Sequence, residues 1–537
     1  MKQRAGESVL AADVIAVRKI GLTAWIGGPT WPVEDSEYFE IAQTCQAAYV
    51  HALEGLSRRD VAIFMSNYPF VAFLVMHIHA LLVEARCAAS GIFVQHGPLS
   101  AEFANPDWEK SAEALGRQAL PFSGLNRRRW MKNAIVNRCM NPFRWIAKSR
   151  RPDALGLGSS LGLKREYVRA RNLYVDHTYA ALLCARCRFH SERPRPGLCD
   201  ATETFLQDVT RFLKSRHGIQ LDDAGVQRAL HGRLTTLSQA YDHILGKKLF
   251  CRQVLVSELA RPLHRIAAHA CRALGLEAVG FHHGNNMGGL PQTNFPFNGI
   301  SSVDSFVCPT QGSSKAFEKN YLSSPMARIA PVRFLSQDVD TYERLIRSSE
   351  REPLPDQIRT VMIMGYPMNA SRALSVPGNH FALHLLLEYR LIETLKKHGF
   401  RVLYKAHPER VRELGELLTA YCDEVIVQPF ENVWKRADAL VIKDSTSTTF
   451  GFALCLNRPI VFIDFEKDFW QAEHHRLLER RVRRVPARIQ EGSRVFFDEQ
   501  EFMDALCLPP EPPDMAYVER FMLSRWPSRS SQWEENT

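Results

Sequence analysis

No membrane span is expected from the sequence. Its most hydrophobic stretch, Phe70 to Ala85, falls short of the roughly 20 residues a bilayer helix needs and contains His77 and His79. Flanking runs at Val61–Met65 and Ile92–Val94 read as strands, so a buried crossover helix is expected between them. No apolar segment follows Met1–Ala5, so the expectation is no secretory or transit leader and a cytoplasmic protein. Cysteine is sparse, with 12 in 537 residues scattered through apolar patterns, as suits reduced core thiols rather than a disulfide framework. Cys184 and Cys187, followed by His190 and Cys199, have metal-like spacing but no matching second pair, and they lie in a helical pattern. Repeats and low-complexity tracts are also missing. The Gly284–Gly289 loop lacks the spacing of a dinucleotide fingerprint or a P-loop, and Ser257 is not in a nucleophile elbow.

What is present is ordinary globular composition, 45% apolar and 23% charged. A chain of 537 residues exceeds the roughly 250–300 at which one core splits, so two or more domains are expected. The proposed division is 1–350, 351–510 and a tail over 511–537. The net charge of +10 is uneven: Arg127 to Arg151 holds nine Lys or Arg residues and no acid, interleaved with Trp130, Phe143 and Trp145. Such a segment suits contact with an anionic membrane surface, or it is the solvated face of an inserted helix pair. Nucleic acid is not expected as a partner, because no recognition module accompanies the charge.

From Arg359 onward, short apolar runs alternate with helical patterns, the signature of βαβ units and a parallel sheet. Strands are expected at Thr360–Met364, Val402–Tyr404, Glu424–Val427, Ala439–Ile442 and Pro459–Ile463. The intervening helices are expected at Phe381–Lys397, Glu409–Cys422, Val433–Ala437 and Thr449–Leu456. A second series uses Val61–Met65, Ile92–Val94, Gln253–Val256, Ala278–Phe281 and Val303–Val307 as strands, with a helix over Pro262–Leu274. Two of these strands end alike, in His96-Gly97 and in His283-Gly284. Residues of about 101–249 break the alternation and read as a helical insertion. The fold class is therefore α/β, with two Rossmann-like domains facing a cleft.

Two segments carry the chemistry. Tyr404-Lys405-Ala406-His407-Pro408 closes one strand, and Asp444-Ser445-Thr446-Ser447-Thr448-Thr449 joins another to an apolar helix. Helix starts leave unpaired N–H groups and carry about half a positive charge, so histidine and hydroxyls placed there suit a phosphate. Each also has a plainer account, as turn chemistry at His407 and a helix cap at Asp444 and Ser445. No Asp-x-Asp or ligand cluster near these strand ends calls for a metal, and no cofactor is expected.

A strand ending in His-Pro, then a strand followed by Asp444, the Ser/Thr run, a helix and Asn457-Arg458-Pro459-Ile460-Val461-Phe462, resembles the C-terminal domain of GT-B fold transferases of bacterial surface polysaccharides. Two branches are similar, the CMP-sugar-dependent sialyl- and Kdo-transferases and the CDP-glycerol glycerophosphotransferases. The resemblance covers about residues 250–480 in motif order. It implies a donor-phosphate site at His407, Ser445, Thr446, Ser447 and Thr448, with Lys405 and Asp444 counted in the same set. It implies an acceptor-side His283, with Glu258 the nearest acidic candidate for a base; the acidic motif of the sialyltransferase branch is absent. The expected activity is glycosyl transfer from a CMP-sugar to a surface polysaccharide or lipid-linked acceptor. Glycerophosphate transfer and a non-catalytic nucleotide- or glycan-binding scaffold are the alternatives.

Overall fold

Short apolar runs buried on both faces build two separate parallel sheets, as expected where helices cover each side. The computed structural model describes residues 8–111, 151–158, 162–177, 194–282, 296–297, 299–337, 341–365, 380–408, 411–414, 416–443, 445, 447–465, 470–490 and 494–523. Two strands, β1 (Val9–Ala11) and β2 (Phe93–Gln95), pair in parallel by themselves. The first large sheet contains β3 (Ala154–Leu157), β4 (Val175–Asp176), β5 (Gln253–Val256), β6 (Glu277–Phe281), β7 (Ser305–Cys308) and β8 (Arg333–Ser336). Its order is β4-β3-β5-β6-β7-β8, parallel throughout.

The second sheet contains β9 (Thr360–Met364), β10 (Arg401–Lys405), β11 (Glu424–Ile426), β12 (Ala439–Ile442), β13 (Ile460–Phe465), β14 (Arg483–Gln490) and β15 (Arg494–Phe497). Its order is β11-β10-β9-β12-β13-β14-β15, with only β15 antiparallel. The first six strands thus follow the 3-2-1-4-5-6 winding of a dinucleotide-type fold. Together the halves make a GT-B-like α/β architecture, and the expected strands β9 to β13 agree with the structure to within one or two residues.

Several expectations are corrected. Val61–Met65 lies inside a helix, Arg58–Ser66, started by Ser57, whose hydroxyl accepts from the Asp60 amide. A five-residue apolar run is compatible with either element, and here the cap decides. Consequently β2 belongs to the small sheet with β1, and His96 stands at that edge rather than on the main sheet. The insertion is not wholly helical, because β3 and β4 fall within 101–249; Ala154-Leu155-Gly156-Leu157 is too short and glycine-rich to announce a strand. Past His407 the helix is only Val411–Leu414, followed by turns, where a longer one was expected. Residues 127–150 and the Cys184/Cys187 pair lie outside the described residues.

The helix Tyr68–Ala89 is long and apolar enough by length and composition to cross a membrane. It nevertheless buries Phe70, Leu74, Val75, Ile78 and Leu82 against neighbouring helices, including Asp35–Leu53. The two halves meet in several places. Trp31 packs edge-on against Phe381 at 5.6 Å, and the Gln471 amide donates to the Ala316 carbonyl at 3.1 Å.

The stretch expected as a tail includes a helix, Ala516–Phe521, that returns to the first half. The Thr310 hydroxyl donates to the Phe521 carbonyl at 2.5 Å, and Phe521 stacks on His474 at 3.5 Å between ring centres. Phe521→Ala should therefore cost about 3–5 kcal/mol in chemical denaturation of the full chain. An unchanged midpoint would return this segment to the status of a tail.

Candidate functional site

In a parallel sheet a crevice opens at the carboxyl edge where successive crossovers leave in opposite directions. In the second sheet that point lies between β9 and β12, with β10 next to β9. The candidate phosphate residues surround it. His407 follows β10 and is partly exposed, while Ser445 and Ser447 follow β12. Ser445 is buried. The Ser447 side chain accepts from the Phe450 amide at 3.1 Å and caps the helix Thr448–Leu454, so its hydroxyl has a structural duty. Thr448 is exposed in the first turn. Lys405 is turned inward: its ammonium donates to the Ala406 carbonyl at 2.5 Å, and burial lowers its pKa against the opposing pull of Glu431. Asp444 and Thr446 lie outside the described residues.

Beneath this edge is a buried network that sequence reading missed. Lys443, the residue after β12, pairs with Glu388 at 2.8 Å, and both side chains are almost wholly enclosed. Its ammonium also reaches His384 Nδ1 at 2.9 Å, which places the ring proton on Nε2. Tyr404 of β10 donates to the other Glu388 oxygen at 3.0 Å. Gly365, after β9, leaves room for this tyrosine, since a Cβ there would collide with its ring and hydroxyl. The network ties β10 and the end of β12 to the helix His380–Lys397 below the crevice. Asp464, at the end of β13, is bonded to Arg484 at 2.5 Å.

The first sheet reverses between β3 and β5, and a second group of titratable side chains gathers there. Glu258, just past β5, has φ +65°, a left-handed conformation rare for such a side chain. Strain of this kind is stored where surrounding contacts over-determine the backbone, often at functional sites. Its carboxylate meets Arg261 at 2.7 Å. Opposite it, Gly158 after β3 has φ +77°, and a Cβ there would strike the Ser257 carbonyl. The two strand ends therefore touch backbone to backbone.

Lys164, on the helix that follows β3, is buried and donates to the Leu157 carbonyl at 3.0 Å. Burial pushes its ammonium from the usual 10.5 down to about 7, although the nearby Glu258 charge raises it. Burial also lowers His264 to about 4 against the pull of Glu258, and lowers His177 to about 3 with help from Lys164. A carboxylate thus faces an amine able to exchange a proton near neutral pH, with two imidazoles held neutral. Lys164 and His177 were missed because the strand ordering them was hidden in the supposed insertion, whereas His264 lies on the expected helix after β5 and carries no sequence signal of its own. His283 lies outside the described residues. Among the described residues no group of side chains could hold a metal ion.

Lys443→Met should cost about 3–5 kcal/mol by leaving Glu388 buried without its cation, and Lys443→Met with Glu388→Met should recover most of it. Equal losses in the single and double variants, by urea denaturation, would contradict the pairing. For Lys164 the folded pKa is depressed, so between about 7 and 10.5 the unfolded chain holds more of the proton. Wild-type stability relative to Lys164→Met should rise with pH across that window, and the burial cost should be fully present below it. Parallel stability–pH curves for the two proteins would rule out the shift.

A scan against protein-family models finds no match, and a search of curated proteins finds none. Among solved structures, the chain is similar to UDP-N-acetylglucosamine 2-epimerase from Rickettsia bellii at 12% identity, over 68% of this chain and 92% of that one, with a TM-score of 0.33.

Proposed function

We propose that this protein is a nucleotide-sugar-dependent glycosyltransferase, with the donor held by the second half and the acceptor hydroxyl activated by the first. One observation carries the reading: the chemistry-bearing residues of each half lie at the carboxyl-edge reversal of its own sheet, where α/β folds bind ligands. Residues placed at one reversal alone would suit a simple binding protein. Reversals on two sheets, one with a proton-exchanging cluster and the other with histidine and hydroxyls, suit a two-substrate transfer.

In this reading the bond between the sugar's anomeric carbon and the donor phosphate oxygen breaks, and a bond from that carbon to the acceptor oxygen forms. Glu258 or His283 receives the acceptor's proton. Lys164 tunes the charge on Glu258 from beneath. The negative charge left on the nucleotide phosphate is met by His407 and the hydroxyl run from Ser445 to Thr448. A CMP-sugar is the proposed donor, on the motif resemblance, and a surface polysaccharide or lipid-linked glycan is the proposed acceptor. Work at the cytoplasmic face of a membrane would bring such an acceptor within reach, with the basic segment 127–151 supplying the contact.

The test uses the full-length protein, with thermal shifts for CMP, CDP, UDP and GDP and hydrolysis assays on the matching nucleotide sugars. CMP should raise the melting temperature, and His407→Ala should weaken that nucleotide by roughly 10- to 100-fold. Glu258→Gln should keep the nucleotide shift while lowering turnover by roughly 10² to 10⁴. Preference for UDP or GDP would displace the cytidine reading. Phosphorus retained in the product would point to glycerophosphate transfer, and His407→Ala with unaltered binding and turnover would remove the phosphate assignment.

A further inference from the structure

On the helix that follows β5, one residue past His264, a guanidinium is buried with no acid to balance it among the described residues. Arg265, on the helix Pro262–Ala273, is fully enclosed. Its Nε donates to the Ser302 hydroxyl at 3.0 Å, but Nη1 and Nη2 have no hydrogen-bond partner among the described residues. The titratable groups acting on it are Tyr49, Tyr68 and Tyr321, and no carboxylate is among them. Two of those phenols have committed their protons elsewhere, Tyr49 to the Phe64 carbonyl and Tyr321 to the Ala330 carbonyl. An isolated buried charge costs several kcal/mol, so arginine in such a place is ordinarily paired.

Other unsatisfied groups accompany it. His269 follows Arg265 by one helical turn, is buried, and has no partner at Nε2. Burial and the adjacent arginines hold this imidazole neutral, so Nε2 has a proton to offer when Nδ1 does not. The Ser301 hydroxyl, beside the serine that meets Arg265, is also enclosed and unpartnered. These groups offer two guanidinium NH2 groups, one imidazole nitrogen and one hydroxyl, with one net positive charge. A cavity of about 1160 Å³ reaches His269 from the amino edge of the sheet. At its mouth Arg272 pairs with Asp304 at 2.8 Å and Arg333 with Glu277 at 2.7 Å, and the exposed Arg58 is open to solvent, whereas the Arg265 guanidinium is enclosed.

We propose that Arg265, with His269 and Ser301, forms an interior binding site for a small monovalent anion of halide size. A donor-rich set with a net charge favours an anion over water, which would satisfy hydrogen bonds and leave the charge unbalanced. The ion would stabilise the contact of this helix with Arg58–Ser66 and with the turn at Ile300–Ser302, both of which pack on it.

The site is tested by thermal unfolding of the full chain at fixed ionic strength as sodium gluconate is replaced by sodium bromide. A saturable rise in midpoint is expected for the wild type, because a ligand bound only by the folded state stabilises it as its concentration exceeds the dissociation constant. Arg265→Met should abolish the saturable part and leave only the general salt effect. If that variant does not fold, a bromide-soaked wild-type crystal decides, with an anomalous peak in contact with the Arg265 guanidinium expected. Identical responses in wild type and variant, or water in place of bromide at that position, would overturn the proposal.

Discussion

Parallel strand pairing governs the rest of this protein. Each crossover between parallel strands must lay a helix over a sheet face, and the point where crossovers change direction is left uncovered. The second sheet has that point between β9 and β12, and the first between β3 and β5. Glu258 stands just past β5, Ser445 and Ser447 past β12, and His407 past the neighbouring β10.

Buried charge then stabilises these edges in two different ways. Under the second crevice, Lys443, Glu388, His384 and Tyr404 satisfy one another, which ties β10 and the end of β12 to one helix below the candidate donor residues. Under the first, Lys164 donates to one carbonyl and feels the charge of Glu258, and burial lowers its pKa. A closed ion pair is rigid and inert. A desolvated amine beside a carboxylate can exchange protons, so the two edges suit different tasks despite similar architecture.

Legibility from sequence differed sharply between the halves. Strands β9, β10, β12 and β13 were readable because each is a continuous apolar run bounded by turn residues, and the helix His380–Lys397 between two of them is long. The same rule misread Val61–Met65, where a serine cap and a following apolar helix made the run helical. It passed over β3 because glycines replace side chains where His177 and the Ser257 carbonyl crowd the backbone. With β3 unseen, the helix carrying Lys164 had no strand to be ordered against.

The order of the motifs was determined by the sequence alone: a His-Pro strand end, a hydroxyl-rich strand end and an acidic residue after an earlier strand, each a local consequence of which residues follow an apolar run. Tertiary structure decided which of these residues share a crevice, which charges lose their water and which acquire partners. Strand order and burial arise from contacts that local periodicity does not record, as when Tyr404 meets Glu388 or Lys164 feels the charge of Glu258.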